Sequence, residues 1–344
     1  MPLLSSPRII SMGVLQYVAK RLGQYFAVLF VGLTITFLIP RLLPTNPIDG
    51  YIGQIQARAN GALSGNDIAL LRANLEELYG LKGDVLTQYL SFLKRVIFQF
   101  DFGPSFTYYP QPVSQIVFTA LPYTIGLLMV STLIAWFLGN VVGLVAGYFH
   151  TKRAASILEV VGIMLYPIPY YILAVTVILV LSYLIPIFPL APSFPVGQMT
   201  LQKAGMIIYN SLLPAITLIL AGFGWNILSM KALAVATTEE PYVTYSRLKG
   251  ATNWTRMTGY VFRNAMLPQV TALALSLGTV FSGALLTEML FSYPGIGLIL
   301  RTAASSADYN VLYGAITISI IAVATAGLVI DLIYPLLDPR IRHR

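Results

Sequence analysis

Catalysis needs reactive side chains in groups, and this chain scatters them. Its 344 residues hold 13 Asp and Glu, 2 His and no Cys. The only adjacent carboxylates are Glu76–Glu77 and Glu239–Glu240, and neither pair has a histidine or a third acid close in sequence. His150 and His343 are far apart, so an imidazole metal site would lean on carboxylates that the chain lacks. Without cysteine there are neither disulfides nor thiolate sites. No G-x-x-x-x-G-K-[ST] phosphate loop occurs. A membrane-bound lipid or glycosyl transferase would need clustered acids, a metal or a nucleophile near the interface, so this pattern points away from an enzyme.

One stretch does carry an ordered pattern, and its chemistry is binding. It is Glu239–Pro268, EEPYVTYSRLKGATNWTRMTGYVFRNAMLP. Pro241 suits a first helical turn, where no backbone donor is needed. Tyr242, Tyr245 and Leu248 recur every three residues as a narrow apolar stripe, with Arg247 and Lys249 beside it. Gly250 permits a tight bend. A second polar helix is expected over about 253–264, with Pro268 entering the next apolar run. Such a helix–Gly–helix either docks on a partner or anchors a basic loop to acidic headgroups.

The elements around this insert are membrane-spanning. The chain is 57% hydrophobic and 10% charged, with a mean hydropathy of +0.76, whereas soluble domains run near ~25% charged. Six segments reach the roughly 20 residues that cross a bilayer: 22–43, 121–147, 157–185, 209–229, 265–290 and 311–337. None alternates like a barrel strand, so all are expected to be helices. Pro167, Pro169, Pro186 and Pro214 are expected to kink or end them. The N-terminal apolar run is longer than a signal-peptide core and no small-residue cleavage site follows, so it reads as a retained span. A short interfacial helix is expected just before it, with Met12 as an alternative start and residues 1–11 dispensable.

Basic residues set the orientation. Arg8, Lys20 and Arg21, then Lys152 and Arg153, then Lys231, Arg247, Lys249, Arg256 and Arg263, and finally Arg340, Arg342 and Arg344 all fall on one side. By the positive-inside rule that side, with both termini and the polar insert, is cytoplasmic. The net charge of +8 therefore reflects membrane topology rather than nucleic-acid binding. The loop at 44–120 is extracytoplasmic. In it Asp67 is expected to cap a helix bearing Ile68, Leu71, Leu75 and Leu78, with Gly80 as its stop. A second amphipathic run carries Leu86, Leu90, Leu93, Ile97 and Phe100, and then comes DFGPSFTYYPQP. This loop reads both as a subdomain that meets a partner and as a cap packed on the spans.

The insert resembles the EAA loop of ABC-importer permease subunits, in the oligopeptide/dipeptide/nickel family, first-permease type. The matching positions are Tyr242, Ser246, Lys249–Gly250 and Leu267–Pro268, while the acid–Ala–Ala part reads Thr244–Tyr245–Ser246. Ser282–Gly297, with Glu288, Phe291, Pro294, Gly295 and Gly297, is similar to the stretch that follows the loop in that family. So are Asp308–Tyr309, the C-terminus Asp331–Arg344, Lys20–Arg21 ahead of the first span, and Pro44–Thr45–Asn46–Pro47, where the family usually has Pro-Gly-Asp-Pro. The resemblance covers the chain from about Met12.

The resemblance implies an all-α membrane protein of six transmembrane helices, the type I importer fold, with a cytoplasmic coupling helix and a helical extracytoplasmic loop. The expected divisions are 1–21, a cytoplasmic segment; 22–43, span one; 44–120, the outer loop; 121–337, the permease core with the coupling loop 239–268; and 338–344, a cytoplasmic tail. The coupling residues would be Pro241, Tyr242, Tyr245, Ser246, Arg247, Lys249 and Gly250. The chain itself would hold no cofactor. ATP and Mg would bind two separate ATPase subunits, beside a second homologous permease (a heterodimer), an extracytoplasmic solute-binding protein and membrane lipid. The location would be the cell inner membrane.

A translocation path lined by Asn226, Ser276, Thr279 and Ser282, with Gly222 and Gly224, competes with plain small-residue helix packing. Glu288, with Pro294 and Gly295, reads either as a gate or binding-protein contact or as an interfacial acid in a structural role, the latter preferred. A self-sufficient channel or secondary transporter is the alternative. It would need ionisable groups deep in the spans, whereas Glu159 and Asp331 lie near cytoplasmic ends and Glu288 near an outer one. The family carries peptides, nickel complexes and oligosaccharides. No histidine or carboxylate cluster supports nickel, and the aromatic outer loop leans toward oligosaccharide over peptide.

Overall fold

The computed structural model describes residues 7–42, 47–58, 64–78, 83–195, 197, 200–280 and 285–337. Among them the chain is helical. In chain order the helices are α1 Pro7–Leu42, α2 Pro47–Arg58, α3 Gly65–Leu78, α4 Val85–Lys94, α5 Val113–Tyr148, α6 Arg153–Leu165, α7 Tyr170–Ile178, α8 Leu201–Thr238, α9 Pro241–Leu248, α10 Asn253–Thr255, α11 Arg263–Val280, α12 Leu285–Leu290, α13 Ile296–Ser305 and α14 Tyr309–Leu337. Wider π turns continue α4, α7 and α10 at Arg95–Gln99, Leu179–Leu184 and Arg256–Phe262.

Four of these helices are long and apolar enough to cross a bilayer: Gln16–Leu38 within α1, α5, α8 and Tyr309–Leu332 within α14. The pair Arg153–Leu165 and Tyr170–Leu184 makes a fifth if it is one broken span, bent by 100°. This is the expected third span, interrupted where Pro167 and Pro169 lack donors and crowd the preceding turn. Pro214 behaves differently: α8 runs on through it, because a helix in lipid has no better place for its remaining backbone groups. The expected fifth span, 265–290, is described as α11 and α12, with 281–284 outside the described residues. Among the described residues no separate interfacial helix precedes the first span. Its residues belong to α1, which runs unbroken from Pro7.

The chain divides into two compact units, Met1–Tyr123 with Pro294–Leu328, and Thr124–Tyr293 with Val329–Arg344. In the first, α1 approaches α14 at Gly32, where a Cβ would lie 2.8 Å from Ile320 Cγ2. Helices α2 and α3 share Ile48, Ile52 and Leu75. The cap of α3 is a reciprocal box. Ser64 is the N-cap, its N–H donating to Asp67 Oδ2 (3.0 Å) and its Oγ accepting from the Asp67 N–H (3.2 Å). Asp67 is thus the third-position partner rather than the cap itself. Gly80, its expected stop, lies outside the described residues. Val113, Val117 and Ala120 of α5 pack with Ile296 and Ala303 of α13 and Val311, Ala315 and Ile318 of α14. The aromatic loop is pinned to this core through buried Asp308, which accepts from Ser105 Oγ (2.5 Å), the Thr107 N–H (2.9 Å) and the Val311 N–H (3.2 Å).

The second unit is organised around α8. Gly139, Gly143 and Gly147 form a seam along one face of α5, and Cβ atoms there would stand 2.4 Å from Asn226 Cβ, 2.6 Å from the Ile227 carbonyl O and 2.6 Å from Ala234 Cβ. Only residues without side chains let the two backbones come this close. On another side of α8, Gly224 meets the Tyr166 N and the Gly162 carbonyl, at 2.8 and 3.0 Å from its ideal Cβ. At 38 residues, α8 is about 57 Å long at ~1.5 Å per residue, well beyond the roughly 30 Å hydrocarbon core. The surplus carries its C-terminal end out to α9.

Candidate functional site

Helix α9 is short and locally specified at both ends. Pro241 occupies its first position and the extended Glu240 (φ −64°, ψ 141°) its N-cap. Glu239 and Glu240 put negative charge at the N-terminus and Arg247 puts positive charge in the last turn, both favourable to the helix dipole. At the C-terminus the Gly250 N–H donates to the Arg247 carbonyl (3.0 Å) and the Ala251 N–H to the Ser246 carbonyl (3.1 Å). These are the two bonds of a Schellman turn, which needs a left-handed residue, and Gly250 has φ +79°.

The faces of α9 divide cleanly. Val243 and Ser246 are buried, at 4% and 2% exposure. Val243 packs with Leu144 of α5, Met230 and Ala234 of α8, Met257 and Val261 of the following π turn, and Ala265 of α11. Ser246 is small enough for this tight place, and its hydroxyl is satisfied within its own turn by the Val243 carbonyl (2.7 Å). Tyr242, Tyr245 and Leu248 point outward, at 40%, 59% and 80% exposure. Trp254, across the bend, is also exposed. Arg247 and Lys249 are exposed beside them, and Lys249 Nζ lies 4.7 Å from the Tyr245 ring centroid. Desolvation, and secondarily the Glu240 charge, push the Tyr242 phenol above its ordinary pKa, so it remains a neutral hydrogen-bond donor.

The frame behind α9 is tied together by caps, hydrogen bonds and an ion pair. Helix α8 enters it through only Glu239 and Glu240. On the other side Thr252 caps α10, accepting from the Thr255 N–H at 3.2 Å. Asn253 Oδ1 then accepts from Arg256 (2.5 Å) and from the Tyr148 hydroxyl at the end of α5 (3.3 Å). Trp136 of α5 donates to the Gln269 carbonyl (3.0 Å), and the buried Gln269 amide donates to Ser229 of α8 (2.7 Å). An ion pair joins Lys231 of α8 to Glu159 of α6. Packed groups, hydrogen bonds and this ion pair thus join α9 to α8 and, through it, to α5, α6 and α11.

The remaining candidates are dispersed. Asn226 lies at the α5–α8 seam and donates to the Gly222 carbonyl (2.9 Å). Ser276 is exposed on α11, its hydroxyl bonded to the Ala272 carbonyl (2.9 Å). Thr279 belongs to α11, its side chain lying outside the described residues, as does Ser282 altogether. Glu288 is fully buried within the protein and accepts from Thr124 Oγ1 of α5 (2.7 Å). Its neighbour Thr287 donates to the Tyr170 hydroxyl of α7 (2.7 Å). Pro294 is half-buried, and Gly295 is the N-cap of α13. Among the described residues no three His, Cys, Asp or Glu group to hold a metal.

Several residues that build the site went unmarked in the sequence. Val243 looks like filler between two tyrosines, yet it fastens α9 to the spans. Lys231 and Glu159 are 72 positions apart (231 minus 159), and only the fold pairs them. The glycine seam carried a usable signal, since Gly139, Gly143 and Gly147 repeat every four residues within an apolar run.

Comparison with known proteins supplies the family. The model of the binding-protein-dependent transport system inner membrane component matches residues 139–343. The dipeptide transport system permease protein DppB of Bacillus subtilis is 26% identical over 330 residues, covering 95% of this chain and 98% of that protein. A putative peptide permease protein of Brucella ovis is 28% identical over 336 residues, covering 96% and 99%. The oligopeptide transport system permease protein AppB of Bacillus subtilis is 26% identical over 334 residues, covering 95% and 99%. With more than half of its length matched, this multi-pass membrane chain belongs to the binding-protein-dependent transport system inner membrane component family.

Proposed function

We propose that the chain is a permease subunit of an ABC importer for peptides, driven by separate ATPase subunits that dock on α9. The observation that carries the docking role is the division of α9. Val243 and Ser246 lock it to the spans while Tyr242, Tyr245, Leu248 and Trp254 stand exposed among Arg247 and Lys249. An ATPase groove with an acidic rim would take that face, and closure of two ATPases around ATP and Mg would move the helix as a rigid body. The spans, six in this reading, would alternate between outward and inward openings. Both termini and α9 would be cytoplasmic. A second, homologous permease would complete the path, and a solute-binding protein would deliver the substrate from outside.

Peptide is favoured over oligosaccharide because relatives matched end to end are named for dipeptide and oligopeptide transport. In the aromatic loop that leaned toward sugars Phe106 is buried while Tyr108 and Tyr109 stand exposed, so the preference for peptide rests on the relatives. The test is reconstitution of the full importer in proteoliposomes, with a binding protein loaded from a peptide library or an oligosaccharide panel. ATP-dependent uptake of peptide is expected. Uptake of oligosaccharide alone would overturn the substrate, and uptake without ATPase subunits would overturn the importer reading in favour of a self-sufficient transporter.

A further inference from the structure

From its place on α1, we infer that α4 and its π turn form a lipid-embedded interfacial helix, buried in the leaflet opposite the N-terminus. Two faces of this segment carry apolar residues. The inner face seats Tyr89 and Phe92 on Phe37 of α1, with ring centroids 5.0 and 5.5 Å apart, and Val96 is buried at 1%. The exposed side carries large apolar residues beside Thr87, Ser91 and Lys94. Leu86 and Leu90, one turn apart, are 63% and 57% exposed, and Val85, Ile97 and Phe98 are 59%, 49% and 79% exposed.

The depth of this face follows from α1. The Tyr89 hydroxyl meets Thr34 Oγ1 at 2.7 Å. Thr34 lies inside the apolar span Gln16–Leu38, about 6 Å short of its end at ~1.5 Å per residue. A helix fixed there stands level with the acyl-chain boundary, where interfacial helices bury their apolar side by roughly 5–10 Å. The surface of α1 just below is itself apolar and exposed, with Phe30, Val31 and Ile35 at 59%, 53% and 50% exposure. The leucine stripe continues that surface outward. Lys94, exposed in the last turn, is placed to reach lipid phosphates, as lysines do from interfacial helices. Helix α3 contrasts with this, since its exposed residues include Asn74 and Glu77.

The chain has no native cysteine, so single cysteines report cleanly. Leu86→Cys, Leu90→Cys and Phe98→Cys, with Asn74→Cys as the water-facing reference, would carry an environment-sensitive fluorophore in the assembled importer in nanodiscs. Nitroxide-bearing lipids should abolish most of the emission at 86, 90 and 98 and little of it at 74, and aqueous iodide should do the reverse. Iodide quenching at 86 and 90 equal to that at 74 would overturn the inference, because the face would then be open to water. Shielding of both positions from lipid and iodide alike would also overturn it, because a protein partner would then be the occupant. Three separate positions guard against one variant failing to fold.

Discussion

Replacement of Gly250 isolates the bend that ends α9. Its φ of +79° is in the left-handed region, and no atom lies within 4 Å of the Cβ that alanine would add. Gly250→Ala therefore introduces no clash, only backbone strain of about 1–2 kcal/mol. A loop strained by that amount relaxes to other conformers when undocked, so docking must restore the bend. The affinity for the ATPase subunit should then fall by as much as roughly 5–30-fold. Gly250→Asn should lose less, because asparagine tolerates this region, and β-branched Gly250→Val should lose more. The assay is titration of purified ATPase subunit onto the permease in nanodiscs, paired with substrate-stimulated ATP hydrolysis, with membrane content as the control. The expected order of affinity is Gly, Asn, Ala, Val. If alanine and valine bind and couple like glycine, the Schellman turn does not set the docking geometry.

Three further outcomes follow from the packing and the caps. Ser246→Ala should be near neutral, because the hydroxyl serves only its own turn, whereas Ser246→Phe should overpack the site by about 1–3 kcal/mol and release the ATPase on purification while the chain stays in the membrane. Gly143→Leu would drive a side chain into the Ile227 carbonyl, 2.6 Å from the ideal Cβ. It should lower the thermal midpoint of the detergent-solubilised protein, whereas Gly259→Ala, with nothing within 4 Å, should move it far less. The Asp67 carboxyl is held below its ordinary 3.8, first by the Ser64 hydroxyl and then by the Ser64 N–H. Its contribution to α3 is thus complete above pH 3.8 and lost as pH falls through the lower folded value. Amide protection in the first turn of α3, corrected for intrinsic exchange, should decline in that acid window, and Asp67→Asn should flatten the decline.

Local chemistry made part of this molecule legible. Pro241 and Gly250 delimit α9 because each acts through its own backbone, and Pro167 with Pro169 part α6 from α7 for the same reason. Tyr242, Tyr245 and Leu248 announce an apolar stripe by spacing alone. The unread parts are non-local. The burial of Glu288 is invisible locally, because its donor Thr124 is 164 positions away. Asp67 looks like a cap because Asp is a common one, and only the paired bonds reveal Ser64 in that role. Val243 carries no signature, since one valine among polar residues becomes a core residue only when α5, α8 and α11 converge on it. The Gly139–Gly143–Gly147 seam needs the register of α8 before close approach becomes its reason.

The docking role proposed for α9 can be read by photo-cross-linking in the intact importer. A photoreactive residue at Leu248, 80% exposed, should capture the ATPase subunit, and one at Val243, 4% exposed, should capture only this chain. Capture of the ATPase from Leu248 that strengthens when nucleotide traps the closed state is the predicted result. No adduct with the ATPase from Leu248 or Tyr245, or an adduct with the extracytoplasmic binding protein instead, would contradict it.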